Sequence, residues 1–532
     1  MLNVILTIFA GIIMVLVLFY WFFWGSQPKG HGLVESKRST STRRGKKVVY
    51  LVMDSLMAET IVEGRGRGEL PAFSYLIEHG YYHPQMISSF PTMSVTIDST
   101  LLTGTYPDQH GVPGLIWYSQ REGRFINYGT GPLELIMMGV GRVVADALYQ
   151  LNHSHLRKEV STLHEDLSAL GMSTGSMNGM LYRGKESHHL YLSHGLARWT
   201  GLARWTKVKA PSFFTYGGLC LPTKSDGIKG GPFHQFGFTD DYIERALTDM
   251  IQAKNLPDFL LAYLPDMDRP IHNKGLTAAL TEAKKVDARL GRILDAFSSW
   301  EEALEQVTWV ISGDSGQTNI CSRAEKSVIS LSEQLGDYCL LEPGKRNKQG
   351  AEVALCSNQR MAYVYILDER ISLEGLAKRL RIDVRMDLIA WREEGWITVI
   401  GTDLETRLRY RRGEEWTDSY QQKWDLHGRE EVLDLTLDQD SRCLYYGDFP
   451  DGLKRLQAAL TSHAGRYLIV NAKPGFEFAT TYSPLHTRGG AHGSLHKQDS
   501  FFPLIVAGTD ERPSTDRLVD MKEYLLRLLK QK

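Results

Sequence analysis

Short apolar runs alternate with amphipathic segments along most of the chain, a pattern typical of an α/β protein. The apolar runs are short and rich in β-branched and aromatic residues, which predicts buried strands. These runs are Val48–Met53, Phe259–Leu264, Trp309–Ser312, Met361–Leu367, Tyr467–Val470 and Phe502–Ala507. The spacing of apolar positions predicts helices over Leu70–His79, Leu133–Leu151, Leu163–Leu170, Thr239–Ala253 and Leu276–Phe297. Strands that alternate with helices imply a mostly parallel central sheet with helices on both faces.

The segment from Ser88 to Gly111 predicts a helix that begins with a hydroxyl residue. Pro91 interrupts the chain, Ser94 stands at the helix start, and Gly104 supplies the stop. The first turn of a helix has unpaired N–H groups and the positive end of the helix dipole, so it can hold a phosphate. From this segment alone, a simple capping role for Ser94 or Thr92 is the better explanation.

Acidic residues follow three of the predicted strands. Asp54 follows the first, Asp266 and Asp268 follow the second, and Asp314 follows the third. Ligands of open parallel sheets bind beyond the carboxyl ends of the strands, so these side chains are candidates for one site. The spacing of Asp268 and His272 could bring a carboxylate and an imidazole to one metal ion, or it could form an ion pair within a helix.

Five short segments, in this order, resemble the alkaline phosphatase superfamily, and most closely its type I phosphodiesterases and nucleotide pyrophosphatases. The segments read KKVVYLVMDSL, SSFPTMSVTIDSTLLTGTYPDQHG, FLLAYLPDMDRPIH, VTWVISGDSG and RGGAHGSLHKQDSFFPLIVAG. The resemblance extends from about Val48 to Gly508. It implies an alkaline phosphatase-like α/β fold and a metal-dependent phosphoester hydrolase that acts through a serine phospho-enzyme.

The resemblance also implies the roles of individual residues. Ser94 is the expected nucleophile, because it stands two residues after the threonine of the Pro91-Thr92 pair, and Thr92 is the alternative. Two divalent metal ions are expected. Their predicted ligands are Asp54, Ser94 and Asp314 for the inner ion, and Asp268, His272 and His492 for the outer ion. Asp266 is expected outside the site, and His486 and His496 are expected nearby or on the surface.

One position departs from the family pattern. The family usually has Asp-His where this chain has Asp314-Ser315. Without the imidazole, the inner set of Asp54, Ser94 and Asp314 offers only oxygen donors, which suit manganese or magnesium better than zinc. The expected ion at the inner position is zinc, manganese or magnesium. At the outer position zinc is expected, because two imidazoles join a carboxylate there.

The N-terminal segment predicts attachment to a membrane. Residues Leu2–Trp24 contain no charged side chain and, at about 1.5 Å per residue, are long enough to cross a bilayer. A basic linker, Gly25–Lys47, follows. Its charges place the large domain in the cytoplasm by the positive-inside rule, whereas the family resemblance favours the outer side. The sequence therefore predicts a single-pass protein of the cell membrane and leaves its side open.

The remaining features divide the chain and limit the classes of function. Residues 48–510 form the predicted catalytic domain, 371–449 a candidate inserted lobe and 511–532 a C-terminal helix. The net charge of −1 gives no case for nucleic-acid binding. The five cysteines form no CxxC pair, although Cys321 and Cys339 could pair. A small phosphoester, lipid or nucleotide substrate is expected. The alternatives are a phosphotransferase acting on a lipid or glycan headgroup and a non-catalytic binding protein.

Overall fold

The computed structural model describes residues 45–220, 238–321, 323–347, 350–402 and 406–530. The predicted membrane segment 2–24 and residues 25–44 of the linker lie outside these ranges. Among the described residues, no helix combines the length and apolar character needed to span a bilayer.

The central sheet has seven strands in the order β2-β24-β10-β1-β9-β5-β8. Its strands are β1 (Lys47–Met53), β2 (Gly80–Ile87), β5 (Thr174–Met177), β8 (Phe213–Thr215), β9 (Phe259–Leu264), β10 (Val307–Ser312) and β24 (Phe501–Ala507). The five strands from β10 to β8 are parallel, while β24 and β2 are antiparallel to their neighbours. The prediction of a mostly parallel central sheet is confirmed.

Helices cover both faces of this sheet, as predicted. Alternate residues of β1 point to opposite sides. Val49 and Leu51 pack with apolar residues from the helices at 58–66, 71–78, 240–252 and 279–294, whereas Val48 and Tyr50 pack with the helices at 94–103, 163–169 and 521–530. Because both layers are buried, the carboxyl ends of the strands are the place at which a site can form.

A second, nine-stranded sheet occupies the C-terminal half, and it is almost entirely antiparallel. Its strands are β13 (Val353–Asn358), β14 (Met361–Ile366), β15 (Met386–Glu393), β16 (Trp396–Gly401), β17 (Arg407–Asp418), β18 (Lys423–Gly428), β19 (Leu435–Asp438), β20 (Cys443–Tyr446) and β21 (Arg466–Ala472). The predicted strands at 361–367 and 467–470 are present, but they belong to this sheet and not to the central one.

Eight short strands form four small pairs outside the two sheets. They are β3 (Ile116–Ser119) with β4 (Arg124–Asn127), β6 (Glu186–Tyr191) with β7 (Trp205–Ala210), β11 (Thr318–Asn319) with β23 (Gly490–Ala491), and β12 (Val328–Ser330) with β22 (Glu477–Ala479). The β11–β23 pair matters for function, because it joins the segment after Asp314 to the segment before His492.

The α-helices, numbered in chain order, connect these strands. The first nine are α1 (Ala58–Gly66), α2 (Pro71–Glu78), α3 (Ser94–Thr103), α4 (Pro107–His110), α5 (Pro132–Met138), α6 (Val140–Ala145), α7 (Leu163–Ala169), α8 (His194–Thr200) and α9 (Asp240–Gln252). The others described are α10 (Asp268–Lys274), α11 (Ala279–Leu294), α12 (Trp300–Gln306), α13 (Ala324–Ser327), α14 (Leu331–Gln334), α15 (Leu373–Leu380), α16 (Gly452–Leu460), α17 (Lys497–Ser500) and α18 (Met521–Lys530).

One prediction about local structure was wrong. The single helix predicted over Leu133–Leu151 is divided into α5, α6 and a π-helical segment, Asp146–His155. The break falls at Gly139, whose φ of +89° no continuous helix accommodates. Cys321 and Cys339 carry exposed free thiols and do not pair.

Candidate active site

Three neighbouring strands of the central sheet bring three carboxylates to one edge. In the sheet, β1 lies between β9 and β10, so their carboxyl ends are adjacent. Asp54 directly follows β1, Asp314 follows β10 by two residues, and Asp268 begins α10 just after β9. The backbone N–H of Asp54 donates to the carbonyl of Leu264 at 3.0 Å, which fixes the spacing between two of these strand ends.

Ser94 is the first residue of α3 and faces the same edge. The helix ends at Gly104, which adopts the left-handed conformation, so both predicted boundaries are confirmed. The Ser94 hydroxyl donates to Asp314 Oδ2 at 3.4 Å. Because the hydroxyl is partly exposed toward the cavity, an electrophile there can reach both Ser94 Oγ and the positive end of the helix dipole.

Asp268, His272 and His492 form a compact group beside the first cluster. Asp268 and His272 lie on successive turns of α10, and the Nε2 atom of His272 is 3.0 Å from Asp268 Oδ1. One ligand atom from each of the three side chains lies within 4.8 Å of the others, so they could hold a metal ion together. Among the described residues, this is the one group of three or more histidine, cysteine or acidic side chains with that spacing.

Backbone carbonyls fix the orientation of both imidazoles. His272 Nδ1 lies 2.7 Å from the carbonyl oxygen of Gly490, and His492 Nδ1 pairs with the carbonyl oxygen of Thr92. In metal sites, a ligating histidine characteristically donates its other ring N–H in this way, which leaves Nε2 for the ion. The donor set and its outer hydrogen bonds therefore fit a zinc-like ion at this position.

Ser55 and Gln317 also belong to the site, although no sequence motif points to them. The Ser55 hydroxyl donates to Asp268 Oδ1 at 2.8 Å, and its backbone N–H donates to Asp314 Oδ1 at 3.0 Å. The side-chain amide of Gln317 donates to Ser55 Oγ at 2.8 Å and to Asp268 Oδ1 at 3.1 Å. Ser55 thus connects the two clusters, and its φ of +64° directs both donors inward.

Several buried carboxylates lie close together in the site, and this arrangement favours the binding of cations. Burial raises the pKa of Asp54 well above its usual range, and the nearby carboxylates of Asp314 and Asp268 raise it further. Burial likewise raises the pKa of Asp314 to about 6, and that of Asp98, one turn after Ser94, to about 8. Like charges this close do not all ionise unless a positive charge accompanies them.

Asp268 behaves differently from the other carboxylates. Burial alone would raise its pKa, but the charge of His272 and the hydrogen bond to it outweigh burial and lower the pKa to about 2. For His272, burial lowers the pKa, and the Asp268 carboxylate more than compensates, so that the net shift is upward. Asp268 is therefore a carboxylate under ordinary conditions, the form that binds a cation.

The inner set fits a metal ion less completely than the outer set. Tyr263 donates to Asp54 at 2.5 Å, and Asp314 Oδ1 already accepts the N–H groups of Ser55 and Ser315. Asp54, Asp314 and Ser94 still offer oxygen atoms, which suit manganese or magnesium. Ser315 is fully buried, and its hydroxyl has no hydrogen-bond partner within the described residues. No neighbouring group therefore holds this hydroxyl in position, and it does not replace the missing imidazole as a fixed metal donor.

The remaining candidates lie outside the ligand sets, as predicted for Asp266. This residue exchanges hydrogen bonds with Asp240 at 3.1 Å in each direction. Thr92 is buried, and its hydroxyl accepts the N–H of Gly493. The backbone N–H of His486 donates to Glu477 Oε1 at 2.7 Å, its Nδ1 lies 2.8 Å from Glu477 Oε2, and its ring packs against His272, while His496 caps α17.

One cavity of about 750 Å³ lies over the site. Its wall includes Ser94, Asp54, Asp268, His272 and His492, together with a mixture of aromatic, amide and small residues. Tyr128, Tyr216 and Phe238 supply rings on one part of the wall, and Arg269 supplies a cation. The volume is ample for a phosphoryl group and a substituent of nucleotide size.

A hydroxyl at a helix start, three strand-end carboxylates and an Asp-His-His group together define a site for phosphoryl chemistry on an alkaline phosphatase-like fold. Comparison with known families gives the assignment directly, because residues 48–495 match type I phosphodiesterase / nucleotide pyrophosphatase. The chain therefore belongs to this family within the alkaline phosphatase superfamily, and it is a phosphoester hydrolase. No curated protein sequence matches the chain.

Solved structures share the fold at low sequence identity. Murine ectonucleotide pyrophosphatase/phosphodiesterase 5, in an inactive variant bound to AMP, is 13% identical with a TM-score of 0.54, and the match covers 92% of this chain and 96% of that one. The human protein is 14% identical with a TM-score of 0.53 over 92% and 96%. Phosphonoacetate hydrolase from Sinorhizobium meliloti 1021, in complex with phosphonoformate, is 13% identical with a TM-score of 0.53 over 91% and 96%.

Proposed function

We propose that this protein is a metal-dependent phosphodiesterase or nucleotide pyrophosphatase that acts through phosphorylation of Ser94. The observation that carries the proposal is the position of the Ser94 hydroxyl, at the start of α3, 3.4 Å from Asp314 and open to the cavity shared by Asp268, His272 and His492. The AMP bound to the murine relative makes a nucleotide a reasonable form of substrate.

Different residues of the chain carry out different parts of the reaction. Asp314 accepts the hydrogen bond of Ser94 and so turns an oxygen lone pair toward the cavity. Ser94 Oγ gives up its proton along the hydrogen bond to Asp314 and attacks phosphorus, the new Oγ–P bond forms, and the bond to the leaving oxygen breaks, with that oxygen taking a proton from water. The N-terminus of α3 stabilises the negative oxygens of the phosphoryl group. Water then attacks phosphorus and releases Ser94.

Two divalent ions would be held here, one by the oxygen atoms of Asp54, Ser94 and Asp314 and the other by Asp268, His272 and His492, whose donor set fits an ion more completely. When bound, they would lower the pKa of the serine hydroxyl and neutralise charge on the phosphoryl oxygens. Attachment to the cell membrane through Leu2–Trp24 is a further part of the proposal, and it rests on the uncharged apolar run alone.

The test is a comparison of aryl phosphodiester and aryl phosphomonoester hydrolysis by the purified full-length protein. The protein is stripped with chelator and reloaded with zinc, manganese or magnesium. We expect the diester to be the better substrate and activity to return only with metal. Full activity in the stripped protein would contradict the proposal, as would the absence of hydrolysis with every metal.

Replacing Ser315 with histidine should change the metal preference. In the native protein, manganese or magnesium should support activity better than zinc alone, because the inner set has only oxygen donors. In S315H, the added imidazole should move the preference toward zinc and slow metal loss during dialysis against chelator. Activity titrations of both proteins after stripping measure this. An unchanged preference would show that the side chain at position 315 does not reach the inner ion.

Removing the Gln317 amide should weaken metal binding at the outer position. In Gln317→Leu, Asp268 loses one donor and Ser55 Oγ loses another, so the carboxylate is held less firmly. Such losses typically reduce metal affinity by about 10–100-fold. Competition with a chromogenic chelator measures the affinity. Gln334→Leu is the matched control, because it removes an amide that donates to Asp383, outside the cavity wall. Equal affinity in the two variants would contradict the role assigned to Gln317.

A further inference from the structure

Helix α5 carries three large apolar side chains into solvent. Leu133, Ile136 and Met137 are 53%, 64% and 39% exposed. Single exposed apolar residues are common on soluble proteins, but neighbouring ones on a single short helix form a patch that often marks a contact surface. Glu134, between them, points inward and is buried, so the exposed side of α5 carries no carboxylate of its own.

This patch adjoins the mouth of the active-site cavity. Gly131 and Pro132, at the start of α5, line the cavity, and Gly131 packs against Pro484, another lining residue. Leu485, the next residue, is 49% exposed. The α5 patch, defined as Leu133, Ile136, Met137 and Leu485, is therefore an apolar border on one side of the entrance to the catalytic site.

Basic side chains flank the α5 patch. Gly344 packs against the backbone of Met137, which places the exposed Lys345 and Arg346 next to the end of α5. Arg142 donates to the carbonyl of Gly344 at 3.4 Å and shares a surface hollow with both. Lys345 pairs with Glu342 at 2.6 Å, whereas Arg142 and Arg346 form no ion pair with any residue in the described ranges. Two uncompensated cations thus stand beside the apolar side chains.

Apolar side chains with a basic border are the combination that binds the surface of an anionic bilayer. The apolar groups enter the boundary between headgroups and acyl chains, and the cations pair with lipid phosphates. The length of the N-terminal segment allows this contact. The 22 residues from Gly25 to Lys46 can span at most roughly 73 Å when fully extended, so a bilayer that holds Leu2–Trp24 would lie within reach of the domain.

We propose that the α5 patch docks on the surface of an anionic lipid bilayer, so that the mouth of the active-site cavity faces the membrane–water interface. Leu133, Ile136 and Met137 enter the outer part of the bilayer, while Arg142 and Arg346 contact the phosphates. A phosphodiester whose substituent is embedded in the membrane then reaches Ser94 without leaving the interface. The docking itself does not depend on catalysis, whereas the consequence for substrates rests on the phosphodiesterase function proposed above.

The docking is tested with a fluorescent probe on the full-length protein in vesicles of phosphatidylcholine and phosphatidylglycerol. Ile136→Cys carries a polarity-sensitive fluorophore, and Ile382→Cys, at a site just after α15 that is 78% exposed, is the matched control. The unsubstituted protein, labelled in parallel, provides the blank for the native exposed thiols. Lipids brominated in the acyl chain should quench the probe at position 136 about twofold or more and leave the probe at position 382 unchanged.

Activity provides the second measurement. Ile136→Asp should lower kcat/KM about tenfold toward a phosphodiester embedded in the vesicles, because a charge replaces an inserted apolar side chain. It should leave kcat/KM toward a soluble aryl phosphodiester unchanged, and Ile382→Asp should affect neither. Hydrolysis of the soluble diester tests the proposed function separately from the docking.

The outcomes separate the alternatives. Equal quenching at positions 136 and 382, or none at 136, would overturn the docking. Energy transfer between probes at position 136 on different copies, without quenching by brominated lipid, would identify the α5 patch as a contact between copies and would also overturn it. Quenching as expected together with inactivity toward every diester would retain the docking and reject the proposed function.

Discussion

Ser94→Ala should abolish turnover of phosphodiesters while leaving the fold intact. The substitution removes the atom that attacks phosphorus, so kcat should fall by at least about a thousandfold. The free energy of unfolding should change by no more than about 0.5 kcal/mol, because the hydroxyl is partly exposed and, within the described residues, makes a single long hydrogen bond, to Asp314. Steady-state kinetics and thermal unfolding measure the two quantities.

Two variants control this experiment. Ser99→Ala removes a hydroxyl from the same helix that donates to the Val95 carbonyl at 2.7 Å and does not line the cavity, so activity should persist. Ser94→Thr keeps a hydroxyl at the site and should retain measurable turnover. If Thr92→Ala abolishes activity and Ser94→Ala does not, Thr92 is the nucleophile and the assignment of the site is displaced by two residues.

His492→Ala should remove the ion at the outer position and most of the activity with it. The remaining pair, Asp268 and His272, offers two ligands where a stable zinc site needs at least three from the protein. We expect the metal content to fall after dialysis against chelator and the diesterase activity to fall at least about a hundredfold. Atomic emission on the dialysed protein measures the metal, and kinetics in excess metal measure the activity.

His496→Ala is the matched control for this prediction. The residue lies four positions further along the same segment, caps α17 and pairs its ring with the N–H of Gln498 rather than with the cavity. It should lower stability by about 1 kcal/mol through the lost cap and leave the metal content unchanged. Loss of metal from H496A but not from H492A would mean that the wrong histidine has been assigned to the outer ion.

The sequence predicts the strand-end carboxylates well because their positions depend on a simple relation. A buried parallel strand is recognisable as an apolar run, and whatever follows it lies at the carboxyl edge of the sheet. Asp54, Asp268 and Asp314 all follow such runs, and the structure places them beyond the carboxyl ends of three adjacent strands. The catalytic and ligand roles of the individual residues stay predictions that the substitutions above test.

Other features depend on contacts that a single sequence does not encode visibly. Met361–Ile366 and Arg466–Ala472 are as apolar as the strands of the central sheet, yet they pair antiparallel in the second sheet. Ser55 acts in the site because of its positive φ, and Gln317 because the loop after Asp314 turns its amide back toward Asp268. Neither a serine nor a glutamine carries a spacing signature, so only the folded chain shows their positions.

The two hydrogen bonds of Ser55 have a thermodynamic consequence for the binding of ions at the inner and outer positions. One residue donates its N–H to Asp314 and its hydroxyl to Asp268, so a displacement of either carboxylate is transmitted to the other through a single, conformationally restricted peptide unit. Occupancy of one half should then alter the affinity of the other, and by reciprocity the effect must be equal in both directions. Titrations of the two ions are expected to be linked and to depart from a pair of independent isotherms.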